Sequence, residues 1–223
     1  MTAIVGLKCC DGWVLCADQQ ISIPGSHSYQ EEKLRLIQGA DWCVTVGYAG
    51  SPLTVNTLRG ELLDNLLRLE DEEISAEKVC TIIDESLEKL FANKQYGKWD
   101  QLLIGFSKVP ENPKLFIQTP PNKNLLPAQN FTCLGVGESS LIRYLGNSLY
   151  SGDITTDLGK NVGIYLVAKA IQYIEGYGDP MDIVVLKNGG NVQWLGHSEI
   201  QERRSAMESI ENQALLKIIG GYG

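Results

Sequence analysis

The sequence is poor in histidine, in long apolar runs and in clustered positive charge, and each shortage excludes a class of function. Only His27 and His197 occur in 223 residues, so we expect neither a histidine-based metal site nor a Ser-His-Asp triad. Lys and Arg number 19 against 27 Asp and Glu and form no basic stripe, which argues against a nucleic-acid partner. No apolar run approaches the roughly 20 residues that a membrane-spanning helix needs.

Targeting signals and disulfide frameworks are also missing. The N-terminal residues lack the basic, apolar and small-residue segments of a signal peptide. The six cysteines lie mostly in apolar segments and not at the spacings of metal ligands. We therefore expect a cytoplasmic protein whose cysteines are reduced and packed in the core.

The N-terminus carries the most informative residue. Thr2 follows the initiator Met1, and a residue this small permits removal of the methionine. An N-terminal threonine combines a hydroxyl nucleophile with an α-amine whose pKa is about 8, so the amine can serve as the base for its own hydroxyl. The alternative is that Thr2 has no catalytic role and is merely tolerated at the second position.

The residues after Thr2 strengthen this interpretation. Residues 4–18 form two short apolar runs joined at Asp11-Gly12, which is a strong hairpin signal. Because hairpin strands are antiparallel, Thr2 and Asp18 are expected at the same end. Lys33 begins an alternating strand, and Gly50 ends another strand just before a helix.

The periodicity along the chain predicts strands, two helices, strands, two helices and strands. This order favours an α+β fold with two antiparallel sheets packed together, flanked by helices, in one domain over residues 1–223. The strands are expected at about 3–10, 13–20, 34–39, 42–49, 101–107, 114–118, 131–136, 181–186 and 192–195, and the helices at about 52–69, 75–95, 138–149, 155–175 and 199–219.

Four short motifs occur in a characteristic order: Thr-x-Ile-Val-Gly, Asp-Gly-x-Val-Leu-x-Ala-Asp, Lys-Leu-x-x-Ile and Gly-x-Ala-Gly-Ser. In this order they resemble a proteasome β-type subunit and its bacterial relatives, the N-terminal-nucleophile threonine peptidases. The match is densest over residues 2–60. The resemblance implies a four-layer αββα sandwich.

The resemblance also implies a catalytic role for four residues. Thr2 would be the nucleophile, and Lys33 would be buried beside it, held by Asp18. The Gly50 N–H would stabilise the oxyanion, because a glycine backbone can approach closely. Without the resemblance, Lys33 could be a surface lysine, Asp18 a solvent-facing carboxylate and Gly50 a simple strand end.

The C-terminal half of the expected site departs from the family pattern. The family's Gly-Ser-Gly is replaced here by Gly135-Val136-Gly137, so Ser139 is a displaced candidate for the missing serine. Tyr177 stands where the family has a second serine, and Glu175 or Asp179 would have to supply the supporting carboxylate.

The sequence therefore predicts a threonine-type endopeptidase without a metal or an organic cofactor, acting on peptides or unfolded proteins. The resemblance implies a homo-oligomeric ring, with exposed apolar faces of the helices at 52–95 as subunit contacts, and leaves open an ATP-dependent unfoldase partner. Packing onto the sheets is the alternative for those faces. Two other functions stay open: a catalytically silent structural subunit, and an amidase acting on a small molecule.

Overall fold

The computed structural model describes residues 2–22, 28–93, 100–135 and 140–220. The strands within these ranges are β1 (Ile4–Cys9), β2 (Gly12–Asp18), β3 (Gln20–Ile21), β4 (Tyr29–Gln30), β5 (Leu34–Gln38), β6 (Trp42–Ala49), β7 (Gln101–Lys108), β8 (Lys114–Gln118), β9 (Leu126–Pro127), β10 (Phe131–Leu134), β11 (Met181–Lys187) and β12 (Val192–Trp194). The α-helices are α1 (Pro52–Leu66), α2 (Ala76–Ala92), α3 (Ser140–Leu149), α4 (Thr156–Tyr173) and α5 (His197–Gly220).

Ten of these strands form two five-stranded sheets. The first sheet has the order β10-β1-β2-β11-β12, and the second has the order β5-β6-β7-β8-β9. Neighbouring strands are antiparallel in both sheets. The α+β prediction with two antiparallel sheets is thus confirmed.

The β1–β2 hairpin places the N-terminal residues. Cys9 pairs with Gly12, so the two-residue loop is Cys10-Asp11, one position earlier than the expected Asp11-Gly12 turn. Gly12 is the first residue of β2 and has a φ of 151°. A Cβ at Gly12 would overlap the carbonyl oxygen of Leu186 on β11, so this glycine permits the close approach of the two strands.

Both faces of the central strands of each sheet are buried, which gives the molecule four layers. Along β2, Val14 and Cys16 point into the core shared with α4, whereas Trp13, Leu15 and Ala17 point into the core between the two sheets. This alternation follows from the two-residue period of a strand. The helices α3, α4 and α5 cover the first sheet, and α1 and α2 cover the second. The αββα sandwich is therefore as predicted.

The apolar faces of α1 and α2 are packed against the second sheet. Leu58, Leu62 and Leu66 of α1 are at most 2% exposed, and burial of each leucine contributes about 2 kcal/mol. The Ser75 Oγ accepts a hydrogen bond from the Lys78 N–H at 3.2 Å and starts α2. Packing onto the sheet, rather than subunit contact, thus explains the apolar periodicity at 52–95.

Three elements were not expected from the sequence, and all of them are short. The ribbon β3–β4, the strand β9 and a 3₁₀ turn at Asp71–Glu73 have no recognisable apolar period. The polar helix α5 is held against α4 by ion pairs such as Lys169–Glu211. In the described part of the chain, every helix is too short or too polar to cross a membrane.

Candidate active site

The start of β1 and the end of β2 bring the backbone at Thr2 next to Asp18. Asp18 Oδ1 accepts a hydrogen bond from the Ala3 N–H at 2.8 Å, and the Ala3 carbonyl accepts one from the Asp18 N–H at 3.2 Å. Thr2 itself is 7% exposed. The hairpin thus places Thr2 and Asp18 at the same end, and the carboxylate fixes the residue that follows the threonine.

Lys33 approaches the same carboxylate from the other sheet. It directly precedes β5 and is buried, and its Nζ lies 2.8 Å from Asp18 Oδ1. One carboxylate oxygen therefore binds both the Ala3 N–H and the Lys33 ammonium. The burial of both side chains does not fit a surface lysine or a solvent-facing aspartate.

Burial has the largest effect on the pKa values of Asp18 and Lys33. It raises the pKa of Asp18 above the usual aspartate range, and the attraction of Lys33 opposes this rise. Burial likewise lowers the pKa of Lys33, against the attraction of Asp18. A lysine with a lowered pKa exchanges a proton near neutral pH more readily than a solvated lysine does. The pair is thus suited to proton transfer as well as to charge stabilisation.

The turn at Gly50 leads directly into α1. Gly50 has a φ of 138°, and a Cβ there would overlap the Asp100 carboxylate. Asp100 Oδ1 accepts a hydrogen bond from the Ser51 N–H at 2.9 Å, which fixes the turn at the start of the helix. The positive end of the α1 dipole therefore borders the same pocket as Thr2 and Gly50.

Gly135 supports the backbone of Thr2 from the strand on the other side of β1. It has a φ of 118°, and a Cβ there would overlap the Thr2 carbonyl oxygen. Its N–H donates to Gln101 Oε1 at 2.7 Å. Only a glycine fits between Gln101 and Thr2 without moving the threonine.

A second buried carboxylate, Asp182 on β11, holds the residues around Lys33. Its Oδ2 accepts hydrogen bonds from the Lys33 N–H at 2.9 Å and the Leu34 N–H at 3.4 Å, and its Oδ1 binds Gln19 Nε2. Burial raises the pKa of Asp182 to about 6. Neither Asp100 nor Asp182 was expected from the sequence. The available signal for Asp182 was a lone carboxylate in an otherwise apolar strand.

Two predicted site residues between α4 and β11, Glu175 and Asp179, are not part of the group formed by Thr2, Asp18, Lys33 and Gly50. Glu175 is exposed, and the Asp179 carboxylate binds Arg204 of α5 at 2.8 Å. Tyr177 is buried, and burial together with the nearby charge of Asp18 raises its pKa to about 12. The nearby Gly178 N–H lowers the pKa of Asp18, against the larger effect of burial. Ser139 lies outside the described residues.

A pocket opens beside Thr2, and its walls carry both charges. Arg35 lies within ion-pair distance of Glu31 and Glu32. Within the described ranges, no three His, Cys, Asp or Glu side chains are grouped so that they could hold a metal ion. The pocket is lined by Thr2, Ile21, Glu31, Glu32, Lys33, Arg35, Tyr48, Gly50, Pro52, Val55, Asn56 and Arg59.

The sandwich of two antiparallel sheets between helix layers is the fold of the N-terminal-nucleophile hydrolases. Within that class the chain belongs to the proteasome subunit family, because the family described as "Proteasome subunit" matches residues 2–186. The resemblance stated from the four sequence motifs is thereby confirmed. No curated protein sequence matches the chain.

Solved structures with a similar fold include several proteins named Anbu. The Anbu (Gly-1) mutant from Hyphomicrobium sp. strain MC1 is 16% identical, with a TM-score of 0.79 over 98% of this chain and 99% of that chain. Anbu (ancestral beta-subunit) from Yersinia bercovieri is 17% identical, with a TM-score of 0.79 over 98% and 96%. The helical assembly of the Anbu complex from Pseudomonas aeruginosa contains a chain that is 16% identical, with a TM-score of 0.76 over 95% of each chain.

Proposed function

We propose that this chain is a threonine-type endopeptidase in which Thr2, exposed by removal of Met1, is the nucleophile. The observation that carries the proposal is the shared carboxylate oxygen of Asp18, which binds the Ala3 N–H and the Lys33 ammonium at 2.8 Å each. Thr2, Lys33 and Gly50 also line one pocket. A nucleophile, a buried cation and a backbone donor are the groups that amide hydrolysis needs.

The reaction proceeds through an acyl-enzyme. The free α-amine of Thr2, directly or through a water molecule, takes the proton of its hydroxyl, and Lys33 lowers the proton affinity of that hydroxyl. The Thr2 Oγ then attacks the substrate carbonyl carbon, and the Gly50 N–H and the α1 dipole stabilise the resulting oxyanion. The C–N bond breaks as the amine leaves with the proton. Water finally hydrolyses the ester and regenerates Thr2.

Peptides and unfolded proteins are the proposed substrates, and no cofactor takes part. A homo-oligomer is supported by the Pseudomonas aeruginosa relative, whose structure is described as a helical assembly. For this chain we infer a homo-oligomer in the cytoplasm; a closed ring and an ATP-dependent unfoldase partner remain hypotheses that follow from the family resemblance alone. Nucleic acid and membrane are not among the proposed partners.

A catalytically silent structural subunit is the second candidate function. It is favoured by Tyr177, which is buried close to Asp18 at the position where the family has a serine. A phenol cannot replace a small hydroxyl there without changing the hydrogen bonds around the nucleophile. The two candidates differ in whether Thr2 is free and reactive.

The test is the intact mass of the purified protein before and after treatment with a peptide epoxyketone or a β-lactone. The endopeptidase proposal predicts loss of Met1 and one stoichiometric adduct. The Thr2→Ala variant should form no adduct, and Thr54→Ala, which changes a buried threonine of α1, should still form one. Retention of Met1, or a free Thr2 without an adduct, would instead support the silent subunit.

A further inference from the structure

Lys33 and its partner Asp18 stand on different sheets, so their approach depends on how the sheets are aligned. Asp18 ends β2 of the first sheet, and Lys33 precedes β5 of the second. Between the sheets the contacts are mainly apolar side chains such as Leu15, Leu34 and Leu103. Apolar contacts are non-directional, and they do not by themselves fix the position of a lysine backbone to a few tenths of an ångström.

Asp182 supplies the missing directional contacts. It shares the alternating face of β11 with Val184 and Leu186, which point into the space between the sheets. From there its Oδ2 accepts the hydrogen bonds from the Lys33 and Leu34 N–H groups. Asp182 is 1% exposed, so these bonds are shielded from water and stronger than surface bonds.

Asp182 is itself held in place by its neighbours. Gln19, the residue after β2, donates its side-chain amide to Asp182 Oδ1. On the adjacent strand, Asp182 pairs with Ala17 in the β2–β11 ladder. The carboxylate that binds the Lys33 backbone is thus anchored one residue away from the carboxylate that binds the Lys33 side chain.

We propose that Asp182 is a positioning residue for Lys33: it ties the lysine backbone to the first sheet, and its negative charge favours the ammonium form beside Asp18. The role rests on the proposed function, because Lys33 acts there on the Thr2 hydroxyl. Asp182 does not touch the reacting atoms.

The charged groups around Lys33 and Asp182 influence the pKa values that a titration would measure. Lys33 is influenced by Asp18, Asp182 and Glu31, each of which raises its pKa against the effect of burial. Asp182 is influenced by burial and by Glu32, which both raise its pKa. A surface cleft lined by Glu32, Asp179 and His197 borders Asp182, which is itself 1% exposed.

Two substitutions separate the hydrogen bonds from the charge. Asp182→Asn keeps an amide oxygen that can accept from the Lys33 N–H but removes the charge, and Gln19 can rotate its amide to face the new NH₂ group. Asp182→Ala removes both. Asp182→Asn is also the variant that preserves the shape of the core, so it decides the matter if Asp182→Ala does not fold.

The first measurement is the rate of adduct formation at Thr2 between pH 5.5 and 9, resolved into binding and reaction steps. We expect Asp182→Ala to lower the reaction step by at least about tenfold with unchanged reagent binding. Asp182→Asn should recover most of that rate, and its pH profile should shift to lower pH on the limb that follows Lys33. A rate for Asp182→Ala within twofold of the wild type would overturn the proposal.

The second measurement does not depend on activity. The pKa of Lys33 is read from its ¹³Cε chemical shift in lysine-labelled protein, with Lys33→Arg to assign the signal. Asp182→Asn should lower this pKa, and an unchanged value would overturn the proposal. If wild-type protein forms no adduct, the proposed function fails, and the Lys33 titration still decides the role of Asp182.

Asp84 provides the matched control. Its Oδ1 accepts a hydrogen bond from the Leu125 N–H at 2.8 Å, so it is also a carboxylate that fixes a backbone N–H. It lies on α2, on the outer side of the second sheet. Asp84→Asn and Asp84→Ala should leave both the adduct rate and the Lys33 pKa unchanged. An equal effect from Asp84 and Asp182 would reduce Asp182 to general structural support.

Discussion

The Asp18–Lys33 ion pair lies where water is almost excluded. Its two side chains are 0% and 3% exposed, so each ion has lost most of its hydration. Such a pair adds little net stability, because desolvation offsets the attraction. Removal of one partner is costly, since the other charge stays buried alone. Stability alone thus does not account for this buried pair, in agreement with the role proposed for it at Thr2.

Lys33→Met should lower the free energy of unfolding by an amount that depends on pH. At pH 7.5 we expect the free energy of unfolding to fall by about 3–5 kcal/mol, because Asp18 is left as an unpaired buried carboxylate. The pKa of Asp18 in the folded state would then rise further above its unfolded value. The stability contributed by its protonation is present at low pH and lost as the pH rises through the folded pKa, so the deficit should be smaller at pH 5.

Urea unfolding at pH 5 and pH 7.5 measures the difference. The double variant Asp18→Asn/Lys33→Met is the control, since it removes both charges and should recover much of the lost stability. A deficit that is the same at both pH values would mean that Asp18 does not remain a buried charge in the single variant.

Gly135 tests how closely the Thr2 backbone must be held. Gly135→Ala places a methyl group against the Thr2 carbonyl oxygen, and we expect adduct formation to slow by at least about tenfold. Gly189→Ala is the matched control, because Gly189 also has a positive φ, of 82°, but has open space around its Cβ position. It should cost about 1–2 kcal/mol of stability through backbone strain and leave the labelling rate unchanged. Equal rates for both variants would contradict the close fit at Thr2.

At the scale of elements, α5 is linked to the site through the segment that precedes β11. Arg204 of α5 binds Asp179, and the N–H of the adjacent Gly178 lowers the pKa of Asp18. The Arg204–Asp179 pair is partly exposed, so its direct contribution to stability is at most about 1 kcal/mol. Its position makes it more important for the placement of Gly178 than for folding.

Arg204→Ala is expected to slow labelling of Thr2 a few-fold with little change in thermal stability. Arg203→Ala is the matched control on the preceding residue of α5, because Arg203 binds Asp157 and Glu199 instead. The labelling rates of the two variants are compared by mass spectrometry of samples quenched at successive times. The link between α5 and Asp18 is refuted if both arginines have the same effect on the rate.

Helix α1 contributes Arg59 to the wall of the pocket. Arg35 is occupied by Glu31 and Glu32, whereas Arg59 makes no ion pair with any residue that the structure describes. We expect the pocket to favour an acidic side chain next to the scissile bond. Arg59→Glu should lower cleavage of acidic reporter peptides relative to basic ones by about fivefold or more, and Arg68→Glu, outside the pocket, should not. An unaltered preference would exclude Arg59 from substrate selection.

At the scale of the whole molecule, Leu58, Leu62 and Leu66 of α1, which lie in the region expected to form subunit contacts, are buried within the chain, whereas Leu53 at the start of α1 is 74% exposed. A shallow apolar groove between α4 and α5 contains Leu158, which is 49% exposed, and Ile210, which is 67% exposed. Apolar surface of this kind is typical of contact regions. Sedimentation equilibrium at micromolar concentration should show a species larger than the 24.6 kDa chain. A monomer throughout this range would contradict the oligomer proposal.

Local patterns were sufficient to predict most of the fold. The two-residue period of β2, the helical spacing of leucines in α1 and the turn residues after Cys9 all act over a few residues, so they can be read directly from the chain. The order of elements then implied two sheets with helices outside. The short ribbon β3–β4 could not be predicted, because two residues show no period.

The sequence by itself determined that Thr2, Asp18 and Lys33 stand at strand ends, because hairpin geometry and alternation are local. Only the tertiary structure decided what surrounds them. Asp182 meets Lys33 across 149 residues, and Asp179 turns to Arg204 of α5. Contacts of this kind depend on how the sheets and helices pack, since a side chain's partner across layers is set by the packing and not by its spacing along the chain.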